Sequence, residues 1–447
     1  MKLAFTRISA AVLLTLSSSP LLAADLLDIF HQAVENDPVI LAAESLQQAD
    51  AEIVPQSRSA LLPSLTLTAN TQTTDREFNG GASPSEERFN SNGYGAQLIQ
   101  PLFRADRWFN LSAAKATKKQ AAASYRDAQQ ELMLRVATAY FNVLRAEDNL
   151  TAAMAREKAF AQQLEQANER FRVGLIPATD VYEAQAGFDL AKVERISSLE
   201  ARHNSVTTLK SLTNQHYKSA DTLDKDMPIA DPSPAALTDW IELALANNPQ
   251  LLAAKHQLEA TRQAMKAEKS GHLPTIDARV SYAHSEEGGT SFLGNESDTQ
   301  VFALELSLPL FEGGNRNPKV REARFRHEKA RHDYENSYRQ TREQIQTQHR
   351  TVTTDVLRVK ARQAALRSSE AALEATEGGY DVGTRNIVDV LQAQNNSFDA
   401  RRNYSNAIYD YLINLLTLKR VAGNLSEEDL AAINQWLVAA PSVANSS

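Results

Sequence analysis

The chain has 447 residues, with 16 Gly, 15 Pro, no Cys, and a formal net charge of −8 from 55 acidic and 47 basic side chains. Zero cysteine excludes thiol catalysis, disulfides, Cys-ligated metals and a lipidated N-terminal Cys, and the acidic balance argues against a nucleic-acid binder. Mean hydropathy is −0.40 and no apolar run of about 20 residues follows the N-terminus, which excludes a bundle of spanning helices.

Residues 1–23 read as a secretory signal peptide. Lys2 and Arg7 precede the apolar run Ile8 to Leu16, which is followed by Ser17 to Ser19, Pro20 and Leu21-Leu22-Ala23-Ala24-Asp25. The run is too short to span a bilayer. Small residues permit cleavage after Ala23 or after Ala24.

Residues 24–230 form a first repeat. A helical segment from Leu26 leads to two strands, at about 64–77 and 92–103. Leu65, Leu67 and Ala69 alternate with Thr66, Thr68 and Asn70, and Tyr94, Ala96 and Leu98 alternate with Gly95 and Gln97. A polar loop from Phe78 to Gly93 joins them. Long helices follow at about 104–172 and 178–213, with no Pro or Gly from Arg104 to Phe171. At 1.5 Å per residue the first is a rod of about 100 Å.

Residues 231–435 repeat the pattern. Leu26-Leu27-Asp28, Asn36-Asp37-Pro38 and Leu62-Pro63-Ser64-Leu65 return as Leu237-Thr238-Asp239, Asn247-Asn248-Pro249 and Leu273-Pro274-Thr275-Ile276. Pro101-Leu102-Phe103 returns as Pro309-Leu310-Phe311, and Val173-Gly174 as Val382-Gly383. So many anchors at one spacing of about 210 residues mark a tandem duplication, with its boundary in the stretch Asp226 to Pro234. The second unit holds strands at about 275–285 and 299–311 and long helices at about 316–381 and 387–422. The clearest apolar face is Phe302, Leu304, Leu306, Leu308 and Leu310. Residues 436–447 read as a flexible C-terminal tail.

The long helices carry a seven-residue period. Val136, Val143, Leu150, Leu164 and Phe171 keep it, broken at Glu157, beside Ala139, Ala146, Ala153, Phe160 and Ala167. Ile345, Val352, Val359, Leu366, Leu373 and Tyr380 keep it without a break. Such a period predicts coiled-coil packing with close backbone approach at the alanines.

The strands alternate as a membrane-barrel wall does, and each is long enough for a tilted crossing. Alternation alone also fits a soluble sheet. Four strands in hydrocarbon would leave unpaired edges at several kcal/mol per group, so membrane insertion demands that several chains pool their strands. Three would supply about twelve, closed by rotational symmetry.

Val-Gly-Leu-Ile-Pro-Ala-Thr-Asp-Val at 173–181 and Val-Gly-Thr-Arg-Asn-Ile-Val-Asp-Val at 382–390 resemble the periplasmic helix turns of the TolC family. Gly271 to Asp277, Leu308 to Gly314 and Tyr140 to Leu144 match its strand borders and first long helix, and the resemblance covers about 25 to 435. It implies a mainly α chain with a β membrane part and two tandem repeats. It also implies a homotrimer whose twelve-stranded outer-membrane barrel sits in lipid and continues into a long α-helical periplasmic tunnel. The implied function is export of proteins or small toxic compounds, with a periplasmic adaptor and an inner-membrane ABC or proton-driven (RND-type) transporter as partners.

The resemblance also assigns residues. Thr179, Asp180, Tyr380 and Arg385 correspond to links that close the tunnel at the tips. Their phenol, guanidinium, hydroxyl and carboxylate are chemically suited to charge-assisted bonds of about 1–3 kcal/mol. Asp389 corresponds to an acidic ring at the constriction. The family's second acid, three residues on, is Gln392 here, which predicts weaker block by cations. Gly174, Leu175, Gly383 and Thr384 correspond to adaptor-contacting tips. Local chemistry offers a second role for several of these: Asp180 and Asp389 suit helix capping, and both glycines suit helix-ending turns.

No enzymatic constellation stands out. His327-Glu328 with His332 is one residue too long for the zinc-helix motif, and the Gly pairs 288–289 and 313–314 lack the rest of a phosphate loop. No catalysis, metal or cofactor is expected, and nucleic acid is not an expected partner. The alternative is a periplasmic coiled-coil scaffold or adaptor without a pore.

Overall fold

The computed structural model describes residues 25–78, 85–215, 217, 221–224, 227–288 and 296–438. The expected signal peptide at 1–23 and its cleavage point lie outside the described residues.

Three short helices open the chain: α1 (Leu26–Asn36), α2 (Pro38–Ala51) and α3 (Ile53–Ser59). Asp25 caps α1 by accepting from Asp28 N–H, and Asp37 caps α2, where Pro38 takes the first helical position. Strands β1 (Ser64–Phe78) and β2 (Ser85–Phe103) lead into α4 (Ala105–Arg172) and α5 (Ala178–Thr213). After β3 (Thr222–Leu223), the plan repeats. Helices α6 (Leu237–Asn247) and α7 (Pro249–Ser270) precede β4 (Thr275–Glu287), β5 (Glu296–Ser307), α8 (Arg316–Asp381) and α9 (Ile387–Ala422). Helix α10 (Glu427–Asn434) and β6 (Leu437–Val438) complete the fold.

The strand ends depart from the sequence reading in two ways. Ladder pairing carries β2 back to Ser85, through residues expected in a loop, because Asp75 faces Arg88 and Arg76 faces Glu87 across the hairpin. At the other end, β5 stops at Ser307 instead of reaching 311. Pro309 has no N–H for the ladder, so Leu308, Leu310 and Phe311 lie beyond the strand and are exposed. The related Pro101 stays within β2 at a register shift between Pro101 and Phe103. The expected free tail is also partly structured. Leu437 and Val438 pair with Leu223 and Thr222, and Asp224 N–H donates to the Trp436 carbonyl at 2.8 Å.

The large sheet is antiparallel in the order β1-β2-β4-β5, leaving β1 and β5 as its unpaired edges. Its register aligns rows across all four strands. One row is Leu65, Leu98, Val280 and Phe302, all apolar and all exposed on one face. The opposite face carries Thr66, Gln97, Arg279 and Glu305, with Arg279 and Glu305 paired at 3.2 Å. Two rows on, the outward face changes to Ala69, Tyr94, His284 and Asp298. Tyr94 stacks on His284 at 4.7 Å, and beyond them Thr71 and Thr73 donate to Asn92 and Asn90 at 2.8 Å. An apolar band therefore ends in an aromatic and then a polar rim.

Below the sheet, α2 and α3 lie on α4, α4 on α7 and α7 on α8; further down, α5 lies on α4, α4 on α9 and α9 on α8. The outer elements are β1, α2–α3 and α5 on one side and β5 and α8 on the other, with α1 packed on α5 and α6 on α8 midway along the long helices.

The main core sits midway along the long helices. Val136, Tyr140, Phe141 and Leu144 of α4 meet Val352 and Val356 of α8, Leu412 and Leu416 of α9, Trp240 of α6 and Ile29 of α1. The polar tips of its two largest fully buried side chains have partners: Tyr140 Oη donates to the Asp221 carbonyl at 3.1 Å and Trp240 Nε1 to the Pro234 carbonyl at 2.6 Å. The heptad row is buried at Val136, Val143, Ile345, Val352 and Val359, but only partly at Leu150, Leu164, Leu366 and Leu373. The alanine companion row with Phe160 stays buried to Ala167. No helix among the described residues is long and apolar enough to cross a membrane.

Candidate gate at the helix tips

Both hairpins reverse on the same device. Helix α4 ends at Val173 and Gly174 takes φ +79°; Gly174 N–H donates to the Phe171 carbonyl and Leu175 N–H to the Arg170 carbonyl, both at 2.9 Å. Gly383 takes φ +77°, with bonds of 3.1 Å to Tyr380 and, from Thr384, 2.8 Å to Gly379. This left-handed backbone favours glycine. The turns push Leu175 and Val382 into solvent, 73% and 76% exposed.

Of the four expected link residues only the neighbours Thr179 and Asp180 meet within the chain; neither is joined to Tyr380 or Arg385. Thr179 Oγ1 lies 3.3 Å from Asp180 Oδ1, at the start of α5. Arg385 is exposed, with its nearest carboxylate, Asp389, at 3.9 Å. Tyr380 is only 9% exposed and its Oη has no hydrogen-bond partner. Its ring lies under Arg170 of α4, whose guanidinium carbon is 4.4 Å from the ring centroid, while Arg170 also reaches Asp381 at 3.6 Å.

The two acids at the turns differ in role. Asp389 accepts from Asn386 N–H at 3.4 Å while Asn386 Oδ1 accepts from Asp389 N–H at 2.8 Å, a complete capping box for α9. Asp180 makes no such bond, because the cap position of α5 is Pro177. Gln392 stands one turn on and donates to Asn396 at 2.9 Å.

A second, smaller core lies just above the tips. It joins Phe160 of α4, Ala191 of α5, Tyr380 of α8 and Ile387, Val390 and Leu391 of α9. Gly187 of α5 lets Phe160 approach, since a Cβ there would meet the ring at 2.7 Å. Above it, Glu194 of α5 accepts from Arg156 of α4 at 3.2 Å and from Arg402 of α9 at 2.6 Å. Arg156 also donates to Asn395, and Arg402 to Asp399 at 3.0 Å. Sequence reading did not single out Arg170, Gly187 or Glu194. Each works through a partner on another helix, which helical spacing does not reveal. Among the described residues no group of three or more His, Cys, Asp or Glu side chains is arranged to hold a metal ion.

Comparison with known proteins places the chain. A family model described as outer membrane efflux protein matches residues 29–215 and again 240–424, one match per repeat. The chain is 37% identical over 433 residues to the outer membrane protein TolC of Vibrio cholerae, covering 96% of this chain and 97% of the relative. It is 29% identical to the alkaline protease secretion protein AprF of Pseudomonas aeruginosa, covering 91% and 86%. Among solved structures, the Neisseria gonorrhoeae MtrE outer membrane channel, in a structure of its open state, matches with a TM-score of 0.73 at 20% identity, covering 90% of each chain. That likeness supports the fold. The alternative of a pore-free periplasmic scaffold finds no support in these relatives.

Proposed function

This chain belongs to the outer membrane efflux protein family, and from that premise we propose that three copies close one export duct. It is an outer-membrane channel protein with a periplasmic helical extension. The observation that carries the trimer reading is the sheet: four strands, an exposed apolar face, and two unpaired edges. In hydrocarbon each unpaired backbone group costs several kcal/mol. Head-to-tail joining of the β5–α8 margin of one copy to the β1–α2–α5 margin of the next pairs every edge, and three steps close a twelve-stranded ring.

Within such a ring the polar sheet face lines the lumen and the apolar face meets lipid. The duct carries no catalysis of its own, and its energy comes from an inner-membrane ABC or proton-driven transporter. A periplasmic adaptor docks at the tips around Gly174, Leu175, Gly383 and Thr384, where exposed Leu175 and Val382 supply apolar contact. Thr179, Asp180, Tyr380 and Arg385 form the releasable links of the gate, and three copies of Asp389 form an acidic ring. The cargo class includes secreted protein, in line with the protease-secretion relative AprF, and small toxic compounds.

The deciding experiment is chemical cross-linking of detergent-purified protein together with conductance in planar bilayers. The reading expects cross-linked species up to a trimer and none larger, with discrete ion-conducting steps. A folded monomer in detergent-free buffer, without affinity for lipid, overturns it. Leu175→Asp should abolish adaptor cross-linking and leave the trimer intact.

A further inference from the structure

Tyr380 carries two observations that do not fit a side chain at rest in a single state. Its phenol oxygen is buried without a hydrogen-bond partner, a costly condition that native proteins rarely keep. Its ring is nevertheless held firmly, between the small tip core and the Arg170 guanidinium at 4.4 Å. Arg170 is in turn tethered to Asp381, the next residue along α8, at 3.6 Å. These contacts join the last turn of α4 to the last turn of α8. Asp180, a carboxylate on the neighbouring hairpin, is not bonded to the phenol. Arg385 likewise pairs with no residue of α5, and its nearest carboxylate is Asp389 on its own hairpin.

We propose that Arg170 is the resting partner of Tyr380 in the released gate, so that each chain holds an internal latch competing with the links that close the tunnel. The proposal rests on the gate reading given above and deepens it by adding a residue and a direction. In the closed state the phenol bonds an acceptor and gives up the face of Arg170. In the released state Arg170 takes the ring face and Asp381, the contacts seen in this chain, while the phenol forgoes its bond. Each state satisfies what the other leaves unmet, which makes the tip two-state. Arg170 acts as a positioning residue and lines no part of the cargo's chemistry.

The latch and the links then predict opposite signs. Tyr380→Phe keeps the ring under Arg170 but removes the phenol bond of the closed state, so it should raise single-channel conductance and open probability. Arg170→Met keeps the stem and removes the cation, so it should lower open probability by about fivefold to tenfold. Asp381→Asn, which loosens the tether only, should lower it by less. The Tyr380→Phe/Arg170→Met pair should return close to the parent, because both states have then lost a contact. All three side chains lie at the tips, far from the main core, and a cross-linked trimer in each variant verifies assembly. Should Arg170→Met itself fail to assemble, Arg170→Lys, which keeps charge but weakens stacking, carries the same expected sign. If Arg170→Met raises conductance, or leaves it unchanged while Tyr380→Phe raises it, the latch is refuted and the gate stands. If neither Tyr380→Phe nor Asp180→Asn changes conductance, the gate reading fails, and the latch with it.

Discussion

Arg402 of α9 donates to the Glu194 carboxylate of α5 at 2.6 Å, bridging two helices that both pack on α4. The other oxygen of the same carboxylate takes Arg156 of α4. One acid thus ties three helices, at the level where the main core has ended and the tip core has not begun.

Removing that tie should loosen the lower tunnel without unfolding the body. Glu194 and Arg402 are about one-third exposed and Arg156 less so, and the expected cost of Glu194→Gln is modest, about 1–2 kcal/mol. Two arginines left facing each other should also raise basal conductance. Thermal melts in detergent and bilayer recordings on Glu194→Gln, with Arg156→Gln and Arg402→Gln as partners, check both effects. Additive single-variant losses would contradict a shared node.

Phe160 and Gly187 should behave as a coupled pair. Gly187→Ala places a methyl 2.7 Å from the Phe160 ring and should destabilise by about 1–3 kcal/mol. Phe160→Leu alone should cost about 1–2 kcal/mol as a cavity. Combined, the smaller side chain makes room for the methyl, so the double variant should be more stable than the sum of its parts. Denaturation midpoints of the four proteins form the cycle.

Glu147 on α4 sets a pH dependence. Burial pushes its carboxyl above the ordinary 4.5, opposed by Arg202 at 3.4 Å. The folded protein therefore holds this proton more tightly than the unfolded chain does. Its contribution is full below 4.5 and declines as pH rises through the raised value. Glu147→Gln should remove that decline, raising the melting temperature at pH 7 by about 1–3 °C relative to the parent and changing it little at pH 4. A lower melting temperature at pH 7 would mean that the Arg202 pair outweighs burial.

Asp389, proposed above as an acidic ring, makes a prediction of its own. With Gln392 in place of a second acid, block by multivalent cations should be weak, and Gln392→Asp should tighten it by about tenfold or more. Asp389→Asn should abolish the residual block. The same change weakens the capping box, so it should also cost about 1 kcal/mol. Titration of conductance with a trivalent cation separates the two effects from melting data.

Much of this molecule was legible in the chain itself. Duplication, the seven-residue period and the alternation of the strands are local regularities, and local regularities map onto elements because side-chain direction follows backbone repeat. The turns were legible for the same reason: Val-Gly at 173–174 and 382–383 states its own positive-φ requirement. Tertiary structure alone decided the rest. Strand order across the repeats, the extension of β2 to Ser85 and the capture of Leu437 and Val438 by β3 depend on partners far away in sequence. The same holds for Arg170 over Tyr380 and Glu194 between Arg156 and Arg402. Those contacts depend on how each helix is rotated toward a neighbour on another element, and a one-dimensional period records that a face is buried but not what it meets.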